Sequence, residues 1–157
     1  MTKPSTQITT EYLMTLHAPL QEPQRVGDDL LIYNCLSGGW VKGPAISGEI
    51  VPPSGDWLRV LPNGTSELDV RVSIKADDGS FIFVKYGGRI AMPADAAKRL
   101  EAGESLGSDD LYFITSPTFE TSSEKYGWLN DIVAVGKIVS CAGGPDSHVT
   151  YDLFVVR

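Results

Sequence analysis

The chain has 157 residues and a formal net charge of −7. That length closes one core without room for a second, and the acidic balance excludes the clustered Lys/Arg that a nucleic-acid backbone or an anionic lipid surface requires. Hydrophobic residues at 42% and charged residues at 21% fit a globular chain, while 16 Gly and 10 Pro suit a turn-rich β fold better than a helical one.

The first ten residues are polar, include Pro4 and offer no apolar stretch for a signal-peptide core. The longest apolar runs, such as Leu30-Leu31-Ile32-Tyr33, fall far short of the ~20 residues a spanning helix needs. We therefore expect a cytoplasmic protein without a membrane partner, its two cysteines, Cys35 and Cys141, reduced and free. Those cysteines are too distant in sequence for a metal knuckle.

Strand-like runs follow from end to end. Residues 12–18 alternate, with apolar side chains in both rows. Residues 29–36 read as a buried strand between Gly27-Asp28 and Ser37-Gly38-Gly39, and residues 40–51 as extended chain bulged or coiled at Gly43, Pro44 and Gly48. Residues 57–61 form a short strand leading into Asn63-Gly64, a strong hairpin signal. The cleanest period covers residues 66–76: Leu68, Val70, Val72 and Ile74 fall on one face, Asp69, Arg71, Ser73 and Lys75 on the other. Asp78-Gly79 then turns the chain into residues 80–86. Residues 111–116, 132–140 and 149–156 complete about nine strands.

Two helical pieces interrupt them. Residues 93–102 begin with Pro93, contain good helix formers and end before Gly103. Thr121-Ser122-Ser123-Glu124 fits a capping box introducing a turn with Tyr126, Trp128, Leu129 and Asn130. Nine strands with one real helix cannot be doubly wound, because each parallel crossover needs its own helix. An antiparallel sandwich or barrel remains, in one domain spanning residues 1–157.

Chemistry emerges by elimination. There is no P-loop, no dinucleotide fingerprint, no H-E-x-x-H and no nucleophile elbow. Two dispersed histidines, His17 and His148, make no His-rich metal site, so neither a metal nor a cofactor is expected. Carboxylates, an arginine, aromatics and an amide survive. Asp69 and Arg71 share one strand face: on a wet face they form an ordinary ion pair, in a cavity an acid–base device. Glu120, next to Phe119, suits proton transfer if an apolar pocket raises its pKa. Glu124 is better explained by the cap. Trp40, Trp57, Tyr126 and Trp128 are either core or the walls of an aromatic ligand pocket.

Residues 38–48, Gly-Gly-Trp-Val-Lys-Gly-Pro-Ala-Ile-Ser-Gly, resemble the GG-x-x-x-GP-x-x-x-G segment of the DUF3237 family, also called the UPF0311 proteins. The resemblance continues through Gly55-Asp56-Trp57, Leu68-Asp69-Val70-Arg71, Asp78-Gly79 and Pro117-Thr118-Phe119-Glu120-Thr121. It ends at Tyr126-Gly127-Trp128-Leu129-Asn130 and Val149-Thr150-Tyr151. It implies a compact antiparallel β-barrel, here of about 8–10 strands with one short helix, and no general activity. Its motif residues include Asp69, Arg71, Glu120, Trp128 and Asn130. Gly43, Gly48 and Gly55 read as backbone-geometry positions.

The functional expectation is a small-molecule-binding barrel acting as a cofactor-independent acid–base enzyme (an isomerase, lyase or cyclase) on a small, partly aromatic substrate. Glu120, Asp69 and Arg71 are its expected catalytic residues. Trp40, Trp128, Asn130 and Tyr126 are the expected ligand-binding ones. The alternatives are a non-catalytic ligand-binding barrel and a structural or assembly module. If Asp69 and Arg71 face inward, Val70 and Val72 face outward, and an apolar outer surface then implies a homo-oligomer.

Overall fold

The computed structural model describes residues 2–157. In chain order the strands are β1 (Thr10–Pro19), β2 (Gln24–Arg25), β3 (Leu30–Asn34), β4 (Trp40–Lys42), β5 (Ser47–Val60), β6 (Ser66–Ala76) and β7 (Phe81–Ala91). The helix α1 (Ala94–Glu101) follows, then β8 (Tyr112–Thr115), β9 (Thr118–Glu120), β10 (Ala134–Ala142) and β11 (His148–Val156). Neighbouring strands run β5-β4-β1-β11-β10-β8-β7-β6, and β6 returns to β5, so eight antiparallel strands close a barrel. Closure removes the unpaired edges that an open sheet exposes. β2 and β3 extend the sheet from the second half of β5, and β9 adds to β7.

Both hairpin signals are realised. Gly64 and Gly79 sit at φ +85° and +83°, where only a residue without Cβ is unstrained. Asn63 and Asp78 side chains accept the N–H groups of Thr65 and Ser80, which pins each turn. The helix runs from Ala94 to Glu101, with Pro93 as its N-cap and Gly103 just beyond its end. Its buried residue is Ala96, and its end, Leu100 and Glu101, reaches the barrel mouth.

The Gly-Pro segment has a steric reason. A Cβ on Gly43 would lie 2.1 Å from the Leu13 carbonyl oxygen, and one on Gly55 would lie 2.6 Å from that of Tyr33. Side chains there would push strands apart.

The structure corrects one division of the chain. The segments read as residues 40–51 and 57–61 are not separate strands: β5 runs unbroken from Ser47 to Val60 through a bulge. Val51 pairs with Ser73 and Gly55 with Arg71, so β5 holds two more residues than β6 between these pairs. The Ser54 hydroxyl donates to the Val51 carbonyl at 2.7 Å and accepts the Ser73 N–H at 2.9 Å, replacing lost ladder bonds. An even number of extra residues keeps the alternation in phase, so Ile50 and Asp56 both face inward.

The inner face of β6 carries Leu68, Val70, Val72, Ile74 and Ala76, all buried. They join Ile82, Val84 and Tyr86 of β7 and Tyr151 and Leu153 of β11 in one core. Each large aliphatic side chain contributes about 1.5–3 kcal/mol by leaving water. Val70 and Val72 therefore face inward, and their burial removes the outer apolar face on which the homo-oligomer was expected.

Candidate functional site

The barrel core is filled at one end and hollow at the other. A cavity of about 890 Å³ runs from the inner face of β5 and β6 to a mouth formed by residues 20–25, the end of α1 and the β10–β11 turn. Leu31, Leu58, Leu68, Val70, Val72, Ile90 and Phe113 make its walls apolar. Tyr86 and Tyr151 meet edge to face with ring centroids 6.0 Å apart, and Phe113 lies 5.3 Å from Tyr151.

Asp56 stands on this wall, on the same inward row of β5 as Leu58 and Val60. Paired positions between β5 and β6 stop at Asp56–Val70 and resume at Arg59–Glu67. In the interval the Asp56 carboxylate accepts the Asp69 backbone N–H at 3.0 Å. Burial pushes the Asp56 carboxyl up to about 7; the Asp69 N–H opposes that shift, and the nearby Asp69 charge adds to it. A carboxyl titrating there holds or releases its proton at neutral pH, the condition for general acid–base work.

Its surroundings stay neutral. Burial raises the phenols of Tyr33, Tyr86 and Tyr151, reinforced in Tyr33 by the charge of Asp56. Burial also pushes the Cys35 and Cys141 thiols, both on the cavity wall, up to about 11, so they are unreactive thiols rather than nucleophiles. The cavity thus offers phenol and carboxyl hydrogen-bonding groups in apolar surroundings. No group of three or more His, Cys, Asp or Glu among the described residues could hold a metal ion.

The residues singled out from sequence lie elsewhere. Asp69 and Arg71 are on the outer face of β6, paired at 3.3 Å with side chains 50% and 45% exposed, and Arg71 also lies over the Trp57 ring. This corrects their placement as cavity residues: the apolar row of an alternating strand takes the interior, and the charged row must face water. Glu120 points outward from β9 opposite Phe83. Trp40 stacks on His17 outside the barrel, with ring centroids 5.5 Å apart. Trp128 is exposed. Asn130 clasps the turn instead of a ligand: its amide oxygen accepts the Thr121 N–H at 2.8 Å, and its nitrogen donates to the Thr121 carbonyl at 2.9 Å.

Tyr126 is buried, but its hydroxyl donates to Asp77, at the tip of the β6–β7 hairpin. Ser123 donates to Asp78 at 2.6 Å, so this segment fastens onto the hairpin rather than closing a pocket. The capping box does not form either. The helical turn there is a 3-10 turn, Gly127–Asp131, with Tyr126 at its N-cap and no side-chain cap, which leaves Glu124 exposed in solvent.

Asp56 is the residue that sequence reading missed. It follows Gly55 and lies just outside the short strand expected over residues 57–61. The available signal was parity: Asp56, Leu58 and Val60 share one row, and an acidic group on an apolar row is the anomaly that marks a site.

Fold and cavity together define a closed antiparallel β-barrel with an apolar chamber and one titratable carboxyl inside. The sequence model of DUF3237, described as a protein of unknown function, matches residues 8–156, and the chain belongs to that family. A UPF0311 protein of Rhodopseudomonas palustris is 30% identical over 132 residues, 82% of this chain and 86% of that one. The crystal structure of that relative superposes with a TM-score of 0.86 at 28% identity, over 98% of this chain and 100% of its own. A Clostridium acetobutylicum protein of unknown function gives 0.80 at 26% identity, over 96% of this chain and 100% of its own. An enzyme from Penicillium herquei shares the fold with a TM-score of 0.63 at 20% identity, over the whole of both chains.

Proposed function

We propose that the chain is a cytoplasmic, small-molecule-binding barrel that acts as a cofactor-independent acid–base enzyme. Its substrate is a small, partly aromatic molecule held in the cavity, and Asp56 moves the proton. One observation carries this reading: a carboxyl with a pKa of about 7 lies on the wall of an apolar cavity of about 890 Å³. Asp56 takes the part first assigned to Glu120 and Asp69. Tyr86 and Tyr151 supply phenol donors for an oxygen that gains charge. Isomerisation fits this inventory well, because a proton leaves one carbon and returns to another with nothing else consumed.

The test uses 2-tetralone as a probe in D2O, with exchange of its C–H groups next to the carbonyl followed by proton NMR. Exchange faster than buffer, reduced about 10²–10⁴-fold in Asp56→Asn, supports the acid–base reading. Probe binding without accelerated exchange supports the carrier alternative instead. If no partly aromatic ketone or phenol perturbs the cavity resonances, both binding readings fail and the assembly-module reading stands.

A further inference from the structure

We infer that the ligand of this cavity carries a single carboxylate, held at the mouth by Arg25, two strands away from the carboxyl that does the chemistry. The inference rests on the binding reading above and adds the charge and polarity of the molecule bound.

Arg25 differs from the protein's other arginines. Arg59, Arg71, Arg89, Arg99 and Arg157 each lie within 3.6 Å of a carboxylate. Arg25 has no such partner among the described residues and is the one lysine or arginine on the cavity wall. Register explains why it points there: Arg25 pairs with Leu31, a buried inward position of β3. Two residues further along β3, Tyr33 pairs with Asp56 on β5. The line from Arg25 past Tyr33 to Asp56 therefore runs diagonally, across two strand spacings of ~4.8 Å each and two residues, ~6.6 Å, along the strands. Arg25 is close enough to Tyr33 for its charge to act on the phenol.

A guanidinium without a partner at the edge of an apolar chamber is a two-pronged donor for a planar carboxylate. Glu22 and Glu101 also reach the rim, and neither is in an ion pair with a described residue. Their charges disfavour a dianion such as a phosphate monoester more than they disfavour a monoanion paired with the guanidinium. The apolar walls then take a hydrocarbon or aromatic body. Its reactive carbonyl or double bond reaches Asp56 at the far end.

The test compares 6-phenylhexanoate with 6-phenylhexan-1-ol on the full chain at pH 6 and low salt. Affinity is read by calorimetry, and occupancy by NMR of the Val70 and Val72 methyl groups. The expected result is that both shift those methyls and the acid binds about tenfold more tightly. That advantage should vanish in Arg25→Gln, persist partly in Arg25→Lys and be unchanged in Arg59→Gln. Equal affinities, or an advantage that survives Arg25→Gln, would overturn the inference while leaving the cavity as a binding site. If neither molecule shifts the methyls, the binding reading itself fails, and this inference with it.

Discussion

Asp56 and Asp69 are joined by one hydrogen bond, yet they live on opposite sides of the same barrel wall. The carboxylate of Asp56 reaches the backbone N–H of Asp69 at 3.0 Å from within the cavity. The side chain of Asp69 points the other way, into solvent, and pairs with Arg71. Identical chemistry meets two dielectrics. Inside, with no cation beside it, the neutral acid is favoured, whereas outside a guanidinium and water solvate the anion. The functional potential of a carboxyl here is set by which face of a strand it occupies, not by the company of a nearby arginine in sequence.

The largest effect expected from this contrast comes from adding a carboxyl to each face. Val72→Asp, in the core, should destabilise by ~5 kcal/mol in urea unfolding, because no partner there can compensate a buried charge. Ser73→Asp, one residue away on the outer side, should stay within ~0.5 kcal/mol. Similar losses would mean that the two faces of β6 are not inside and outside.

Next comes the pH dependence of Asp56. Its folded pKa of about 7 lies above the unfolded value of 3.8, so the folded state holds the extra proton between them. Stability from this group is therefore fully present below about pH 4, is lost as pH rises toward about 7, and levels off above. Asp56→Asn keeps an oxygen for the Asp69 N–H and removes the ionisation. It should match the parent near pH 4 and exceed it at pH 8 by up to about 4 kcal/mol. Urea curves at both pH values measure this, and a parent whose stability is flat across the range would sink it.

A sharper comparison is kinetic. If Asp56 is the base in the exchange reaction, kcat/KM should rise through about pH 7, and Asp69→Asn should retain both the rate and the profile. A rate lost equally in both variants would point to the wall between them rather than to the inner carboxyl. The smallest effect belongs to the outer pair. A double-mutant cycle on Asp69 and Arg71 should give under ~1 kcal/mol, because both groups are half exposed and screened.

Much of the barrel was legible because local rules and tertiary packing agree. Ser66 to Ala76 alternates without a break, and its apolar row became the core. Asn63-Gly64 and Asp78-Gly79 turn where their backbone freedom allows, and the helix stops within a residue of its expected ends at both termini. The site was less legible. Around Asp56 the bulge at Val51–Gly55 joins two segments that composition alone separates, since Pro52-Pro53 and Gly55-Asp56 look like a break. The aromatic motif at Tyr126–Asn130 was read as a ligand wall, while in the folded chain its polar atoms are spent on Asp77 and Thr121.

By itself, then, the sequence determined the strand alternation, the turns, the single helix and the all-β class, because each depends on residues a few positions apart. The hollow at one end of the barrel and the position of Asp56 within it were decided only by tertiary structure. A cavity is made of residues from strands far apart in the chain. Whether an acid sits in water or in an apolar chamber depends on what those distant strands place around it.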